Sequence, residues 1–107
     1  MLVLFDNNTP RTLARYLLEH HTITEARARG WGQLKNGDLL NEAEAAGFEV
    51  FVTVDKNLSY QQNLTGRKIA VVVLGKGRWS LIRPHVAQVV AAVNGAKPGS
   101  FTEVEVS

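Results

Sequence analysis

The sequence predicts an α/β sandwich with a mostly parallel central sheet. Three short apolar runs rich in β-branched residues, Leu2–Phe5, Phe48–Val54 and Ile69–Leu74, are typical of buried strands. Segments with the apolar spacing of amphipathic helices separate them, and this alternation indicates βαβ units. The chain has 107 residues, of which 45% are hydrophobic and 21% charged, as expected for one domain spanning 1–107 with a modest core.

The first half of the chain predicts a strand, a helix and a second, weaker strand. After Leu2–Phe5 a polar turn begins at Asp6. Thr9 as N-cap and Pro10 at the first helical position predict a helix to about His20. Weak alternation over Thr22–Ala26 predicts a short strand. The helix is expected to bury an apolar stripe: Leu13, Leu17 and Leu18.

The second half adds three helical segments and a closing strand. A helix is expected over Asn36–Ala46, where Gly47 is a stop signal. Leu58–Leu64 is polar and predicts a short helix or turn, and Trp79–Val93 predicts a longer helix. Alternation over Phe101–Val106 predicts a final edge strand or a loosely held tail, and an exposed final strand could pair between two copies of the chain in a homodimer.

Composition removes several classes of function. The absence of cysteine excludes disulfides, thiolate zinc sites and thiol nucleophiles. A formal net charge of +2 is too small to indicate nucleic-acid binding by itself. The apolar runs are too short for a signal-peptide core or a membrane span, so we expect a cytoplasmic protein without a membrane partner.

Two buried strands are each followed by an aspartate. Asp6 comes directly after the first strand and Asp55 after the central one. The carboxyl ends of parallel strands share one edge of a sheet, so both carboxylates are expected in one crevice. Asp38, at the start of its helix, could join them there. The simpler interpretation is that these residues only cap turns and helix N-termini.

The carboxylates of such a cluster repel one another, so either one of them stays protonated or a cation neutralises them. Mg²⁺ and Mn²⁺ prefer carboxylate and water oxygens, and at such a site they would polarise a phosphodiester and activate a water molecule. A flanking phosphate would need a cation from the chain. Three basic side chains are candidates for this substrate-binding role: Arg67, Lys76 and Arg78.

Two other features have a purely structural interpretation as well as a functional one. Trp31 could stack on a base, but a ring that covers the edge of the core is the commoner case. Gly75-Lys76-Gly77 follows a strand but lacks the spacing of a Walker motif, so a tight turn is expected.

Several short motifs occur together in an order that resembles the small bacterial PIN-like domain proteins. They are LVLFDNNTP at Leu2–Pro10, NGDLLNEAEAAG at Asn36–Gly47, FVTVDKNL at Phe51–Leu58, and the strand Ile69–Leu74 with the helix that follows. The resemblance implies a three-layer PIN-like (Rossmann-like) sandwich. It also implies a Mg²⁺- or Mn²⁺-dependent ribonuclease, and many relatives are ribonuclease toxins of toxin–antitoxin pairs.

Carried over to this chain, the resemblance makes Asp6, Asp38 and Asp55 catalytic metal ligands. Asn7 stands where many relatives have Glu, and Asn57 stands where the family often has a second Asp. An asparagine can ligate a hard cation through its carbonyl oxygen but supplies no charge. One further residue could complete the metal site by supplying that charge: Glu42.

Three functions follow from these observations. The first is a metal-dependent endoribonuclease that acts on RNA and has an antitoxin as its protein partner. The second is a catalytically degenerate PIN-like domain that only binds RNA or a protein. The third is a receiver-like signalling domain in which Asp55 is the phosphoacceptor and Lys76 its basic partner.

Overall fold

The computed structural model describes residues 1–34, 36–55, 64 and 66–106. Within these ranges the chain forms a sheet of five strands, all parallel, in the order β2-β1-β3-β4-β5. The strands are β1 (Leu2–Phe5), β2 (Thr22–Glu25), β3 (Val50–Thr53), β4 (Ala70–Leu74) and β5 (Phe101–Val104). This arrangement confirms the predicted α/β fold with a parallel sheet, including the final strand at one edge.

Helical segments cover both faces of the sheet. The α-helices are α1 (Asn36–Ala45), α2 (Trp79–Ile82) and α3 (Val86–Asn94), and the 3₁₀ helices are η1 (Arg11–Tyr16), η2 (Ala26–Arg29) and η3 (Arg83–His85). In the parts of the chain described above, no helix has the length and apolar character needed to cross a membrane.

Side chains alternate between the two faces because successive residues of a strand point in opposite directions. Val3 and Phe5 of β1 pack on one face with buried side chains of η1, α2 and α3, whereas Leu4 packs on the other face with α1. The buried strands β3 and β4 contribute to both clusters. The result is three layers, with the sheet in the middle.

The first predicted helix is shorter and tighter than expected. Thr9 does not act as its N-cap, because its hydroxyl donates to the main-chain oxygen of Val52 at 3.1 Å. Pro10 instead occupies the N-cap position in extended conformation, and the segment winds as 3₁₀ helix only to Tyr16. The predicted burial of Leu18 is therefore wrong: its side chain is 58% exposed.

The helix predicted over Trp79–Val93 is interrupted. The chain forms α2, then the short 3₁₀ helix η3, which contains Pro84, and then α3. A proline inside a helix lacks the N–H that would continue the hydrogen-bond ladder, so the α-helix is interrupted at Pro84.

The helix predicted over Asn36–Ala46 is confirmed as α1. It ends before Gly47, whose φ of +91° is a left-handed conformation that favours glycine. Phe48 N–H donates to the Ala43 oxygen just beyond this turn. The helix or turn predicted over Leu58–Leu64 lies outside the described residues, apart from Leu64.

Candidate functional site

The order of the strands reverses beside β1. From β1 the chain adds β2 on one side, and it adds β3, β4 and β5 in turn on the other side. In open α/β sheets, ligands bind outside the carboxyl ends of the strands at such a switch point. Asp6 follows β1 and Asp55 follows the neighbouring β3, so the two strand ends predicted to lie side by side do so.

A buried hydroxyl connects these two aspartates. Thr53 Oγ1 donates to Asp6 Oδ2 at 2.7 Å and accepts a hydrogen bond from the Asp55 main-chain N–H at 3.1 Å. The side chain of Thr53 has no exposed surface. The sequence offered one signal for it, a polar residue inside an otherwise apolar strand, but the sequence analysis did not single it out.

The turn after β1 is fastened to β3. Asp6 N–H donates to the Val52 oxygen at 2.9 Å, and the Thr9 hydroxyl donates to the same oxygen. Asn7 N–H donates to Asp6 Oδ1 at 2.9 Å. Each carboxylate oxygen of Asp6 therefore accepts a hydrogen bond that fixes its position and still has a lone pair available.

Asn7 presents a buried acceptor at this edge of the sheet. Its Nδ2 donates to the Gly32 oxygen at 3.0 Å, which fixes the orientation of the amide. Among the described atoms, Oδ1 is buried and has no hydrogen-bond partner. Buried polar atoms without partners are uncommon, and Asn7 is one of the residues that line the cleft beside Asp6.

The loop after β4 packs against the turns that follow β1 and β3. A Cβ atom at Gly77 would lie 3.2 Å from the Asn8 oxygen and 3.6 Å from a methyl group of Val54. The backbone can approach this closely only because residue 77 has no side chain. Lys76 and Arg78, on either side of it, are exposed at the same edge as Asp6.

Arg67 lies elsewhere. It precedes β4, so it is at the opposite edge of the parallel sheet, and its Nη1 contacts Glu44 Oε1 at 2.9 Å. The Lys68 main-chain N–H and Arg67 both hold the pKa of Glu44 below its usual value. We therefore leave Arg67 out of the site, which corrects the prediction that it holds a flanking phosphate.

Among the described residues, the remaining predicted ligands do not complete a cluster. Asp38 is exposed in the first turn of α1, which begins on the side of the carboxyl edge, and Glu42 is exposed one turn further along. Across the described ranges, no three His, Cys, Asp or Glu side chains lie close enough together to hold a metal ion. Asn57 lies outside the described residues.

Three charged residues that the sequence analysis missed complete the surroundings of Asp6. Arg11, Glu25 and Arg27 line a cleft of about 160 Å³ together with Asp6, Asn7 and Thr9. Arg11 Nε contacts Glu25 Oε1 at 2.7 Å. The pKa of Glu25 is lowered by this hydrogen bond and by the charges of both arginines, and the pKa of Arg11 is raised by the same contact.

Trp31 packs against the edge of the core, as its structural interpretation predicted. Its ring packs edge-to-face on Phe48 with 6.0 Å between centroids, and the Arg29 guanidinium lies 4.7 Å from its centre. It is half-buried at the rim of the core that α1 covers.

Comparisons of the chain with protein families, with curated proteins and with solved structures give no match. The resemblance to PIN-like domain proteins therefore stays a prediction that rests on the short motifs quoted above.

Proposed function

We propose that this protein is a metal-dependent endoribonuclease of PIN-like type. The observation that carries the proposal is the pairing of β1 with β3, which brings Asp6 and Asp55 to one switch point where Thr53 contacts both. Two carboxylates at the carboxyl edge of a parallel sheet, on a chain without cysteine, are suited to a hard cation and a phosphate ester.

The donor atoms fit Mg²⁺ or Mn²⁺. Magnesium sites in proteins use one or two carboxylates and leave the other positions to water and substrate phosphate, so a third carboxylate is not required. Asp6 and Asp55 would hold the ion, and Asn7, which lines the same cleft and whose buried Oδ1 has no partner among the described atoms, has a further oxygen donor. Once bound, the ion supplies Lewis-acid polarisation of the phosphodiester and lowers the pKa of a water molecule.

The chain itself supplies positioning. Thr53 and the Asn7 N–H hold the carboxylate of Asp6 in one orientation, which lowers the cost of organising the site when the substrate arrives. Lys76 and Arg78, exposed at the same edge, attract RNA phosphates. An antitoxin that masks this edge, and a cytoplasmic location, belong to the same proposal.

The test is RNA cleavage with Mn²⁺ or Mg²⁺ by the wild type and by Asp6→Asn and Asp55→Asn. We expect each substitution to reduce the rate by at least about a hundredfold, because each removes charge from the metal site. Glu103→Gln, an exposed carboxylate on β5, makes the same change in charge and should leave the rate unchanged. Equal rates in all four proteins would exclude the site.

The second candidate is a degenerate PIN-like domain that binds RNA or a protein without cleaving it. The observation that favours it is the gathering of two rather than three acidic side chains among the described residues. It predicts RNA binding that is unchanged by Mn²⁺ and by Asp6→Asn, with no cleavage at any metal concentration. Metal-dependent turnover would exclude it.

A receiver-like phosphoacceptor is the third candidate, and the strand order favours it at the level of the fold. The order 2-1-3-4-5 also occurs in receiver-type sheets, but fold alone does not establish function. β1 is followed by Asp6 and then Asn7 and Asn8, without the additional acidic residue expected of a receiver. Incubation with a small phosphodonor and Mg²⁺ should leave the intact mass unchanged.

A further inference from the structure

A second depression continues from the cleft beside Asp6. It is a groove of about 450 Å³ between η1 and β2, and its lining is mainly apolar: Phe5, Ala14, Leu18, Ile23 and Ala28. Arg11 and Glu25 line both the groove and the cleft. The two depressions therefore adjoin across the Arg11–Glu25 pair, and together they form a surface that is apolar at one end and charged at the end that reaches Asp6.

The charged end holds two guanidinium groups around one carboxylate. Arg11 pairs with Glu25, but 84% of the Arg11 side chain is exposed, so its guanidinium can turn away at little cost. Arg27 donates to the Asn7 main-chain oxygen at 3.5 Å, which is at the long limit for a hydrogen bond. Both groups have donors available for a new acceptor, and a guanidinium fork matches the geometry of a phosphate.

We infer that this surface binds one nucleotide of a single-stranded RNA substrate, with the base in the apolar groove and its phosphate on Arg11 and Arg27. Glu25 holds the Arg11 guanidinium in place until the phosphate displaces it. The inference rests on the proposed ribonuclease function, since it gives that site a substrate-binding surface on the β2 side of Asp6.

Size and polarity favour a nucleotide over a protein segment. A volume of about 450 Å³ falls within the range of small-molecule sites, which are mainly apolar with a few polar groups at one end. The cleft of about 160 Å³ beside the groove is smaller and is lined by polar and charged residues. Both arginines lie in the same cleft as Asp6, where a phosphodiester must approach.

The test measures binding separately from cleavage. The probe is a fluorescently labelled oligoadenylate, and its anisotropy is recorded with a chelator present over a series of salt concentrations. We expect Arg27→Ala to weaken binding about tenfold and to reduce the slope of log K against log salt by about 0.7, the value for one phosphate contact on a single strand. Lys97→Ala, which removes an exposed charge at the opposite edge, should change neither quantity.

Glu25→Gln should have the opposite effect and tighten binding about twofold to fivefold, because Arg11 loses its competing partner. Leu18→Ser should weaken binding about threefold to tenfold without changing the salt slope, because it removes apolar rather than ionic contact. Leu2→Ser, at another exposed leucine, is its control and should bind like the wild type.

Several results would overturn the inference. A salt slope unchanged by Arg27→Ala would show that Arg27 contacts no phosphate. Weaker binding by Glu25→Gln would reduce the Arg11–Glu25 contact to a structural ion pair. Loss of self-association in Leu18→Ser, measured by sedimentation and without a change in RNA binding, would assign the groove to a protein. RNA binding with the expected pattern but no cleavage would support the inference and refute the nuclease. Cleavage with an unchanged KM in Arg27→Ala and Leu18→Ser would support the nuclease and refute the nucleotide-binding surface.

Discussion

Replacing Thr53 by valine removes one hydroxyl from the centre of the site at nearly constant volume. The substitution deletes a hydrogen bond to a carboxylate, which contributes about 1.5–3 kcal/mol, and it leaves the Asp55 N–H without that acceptor. The additional methyl group recovers about 0.8 kcal/mol of apolar burial. We therefore expect Thr53→Val to lower the free energy of unfolding by about 2 kcal/mol and the melting temperature by about 10 °C.

Urea denaturation at neutral pH measures this change, and the slope against urea should not alter because the folded state is the same. A double-mutant cycle with Asp6→Ala isolates the hydroxyl–carboxylate bond from the other effects. Since the two side chains are in direct contact, we expect a coupling free energy of about 1–2 kcal/mol. Thr102→Val, on β5 and three strands away from β1, is the control, because it shares no contact with Asp6 and its coupling to Asp6→Ala should be below about 0.3 kcal/mol.

A coupling free energy below about 0.3 kcal/mol, which is within the scatter of independent sites, would show that Thr53 does not stabilise the Asp6 carboxylate. A second readout is the rise in melting temperature on addition of Mn²⁺. Because Thr53 orients a proposed ligand, Thr53→Val should weaken metal affinity about tenfold to a hundredfold and reduce that rise. An unchanged rise would separate the stability of this hydrogen bond from the metal site.

Three further predictions concern the rest of the fold. The pKa of Glu44 is lowered in the folded state, so the ionised carboxylate stabilises the protein above the ordinary pKa of 4.5, and this contribution is lost as the pH falls below that value. Glu44→Gln should therefore lower the melting temperature at neutral pH and reduce the loss of stability on acidification, which melting curves at several pH values measure. Gly77→Ala should cost about 1 kcal/mol in urea denaturation because its Cβ would press on the Asn8 oxygen at 3.2 Å, whereas Gly32→Ala, with its nearest atom at 3.8 Å, should cost less. Phe51→Ala, at a side chain with no exposure, should cost about 3–5 kcal/mol and leave much of the protein unfolded on heating to 37 °C by circular dichroism.

The strands could be predicted because burial on both faces leaves a strong local signal. β1, β3 and β4 are continuous apolar runs, and each observed strand lies within the predicted range. The helices were harder because their form depends on contacts made elsewhere. Thr9 has the side chain of an N-cap, but β3 offers its hydroxyl a carbonyl oxygen, and no local pattern reveals that competition.

The same distinction applies to the site. Parallel-sheet geometry alone places Asp6 and Asp55 together, so the sequence was sufficient for that pair. The cleft formed with Arg11, Glu25 and Arg27 depends on the weak strand β2 pairing beside β1, which places Phe5 opposite Glu25. Charges on separate segments become neighbours only through that register, and the register of a weak strand cannot be read from a single sequence.

The simplest alternative for Asp6 is that it caps the turn after β1, and the hydrogen bonds argue against it. A capping aspartate accepts from a main-chain N–H two or three residues further on. Here the Thr9 N–H donates to the main-chain oxygen of Asp6, so the turn is closed without the carboxylate. The carboxylate instead accepts from the adjacent Asn7 N–H and from Thr53 on another strand. A fold that needed only the turn would not require a charge there, and an Asp6 variant that loses metal-induced stabilisation while keeping the turn would separate the two roles.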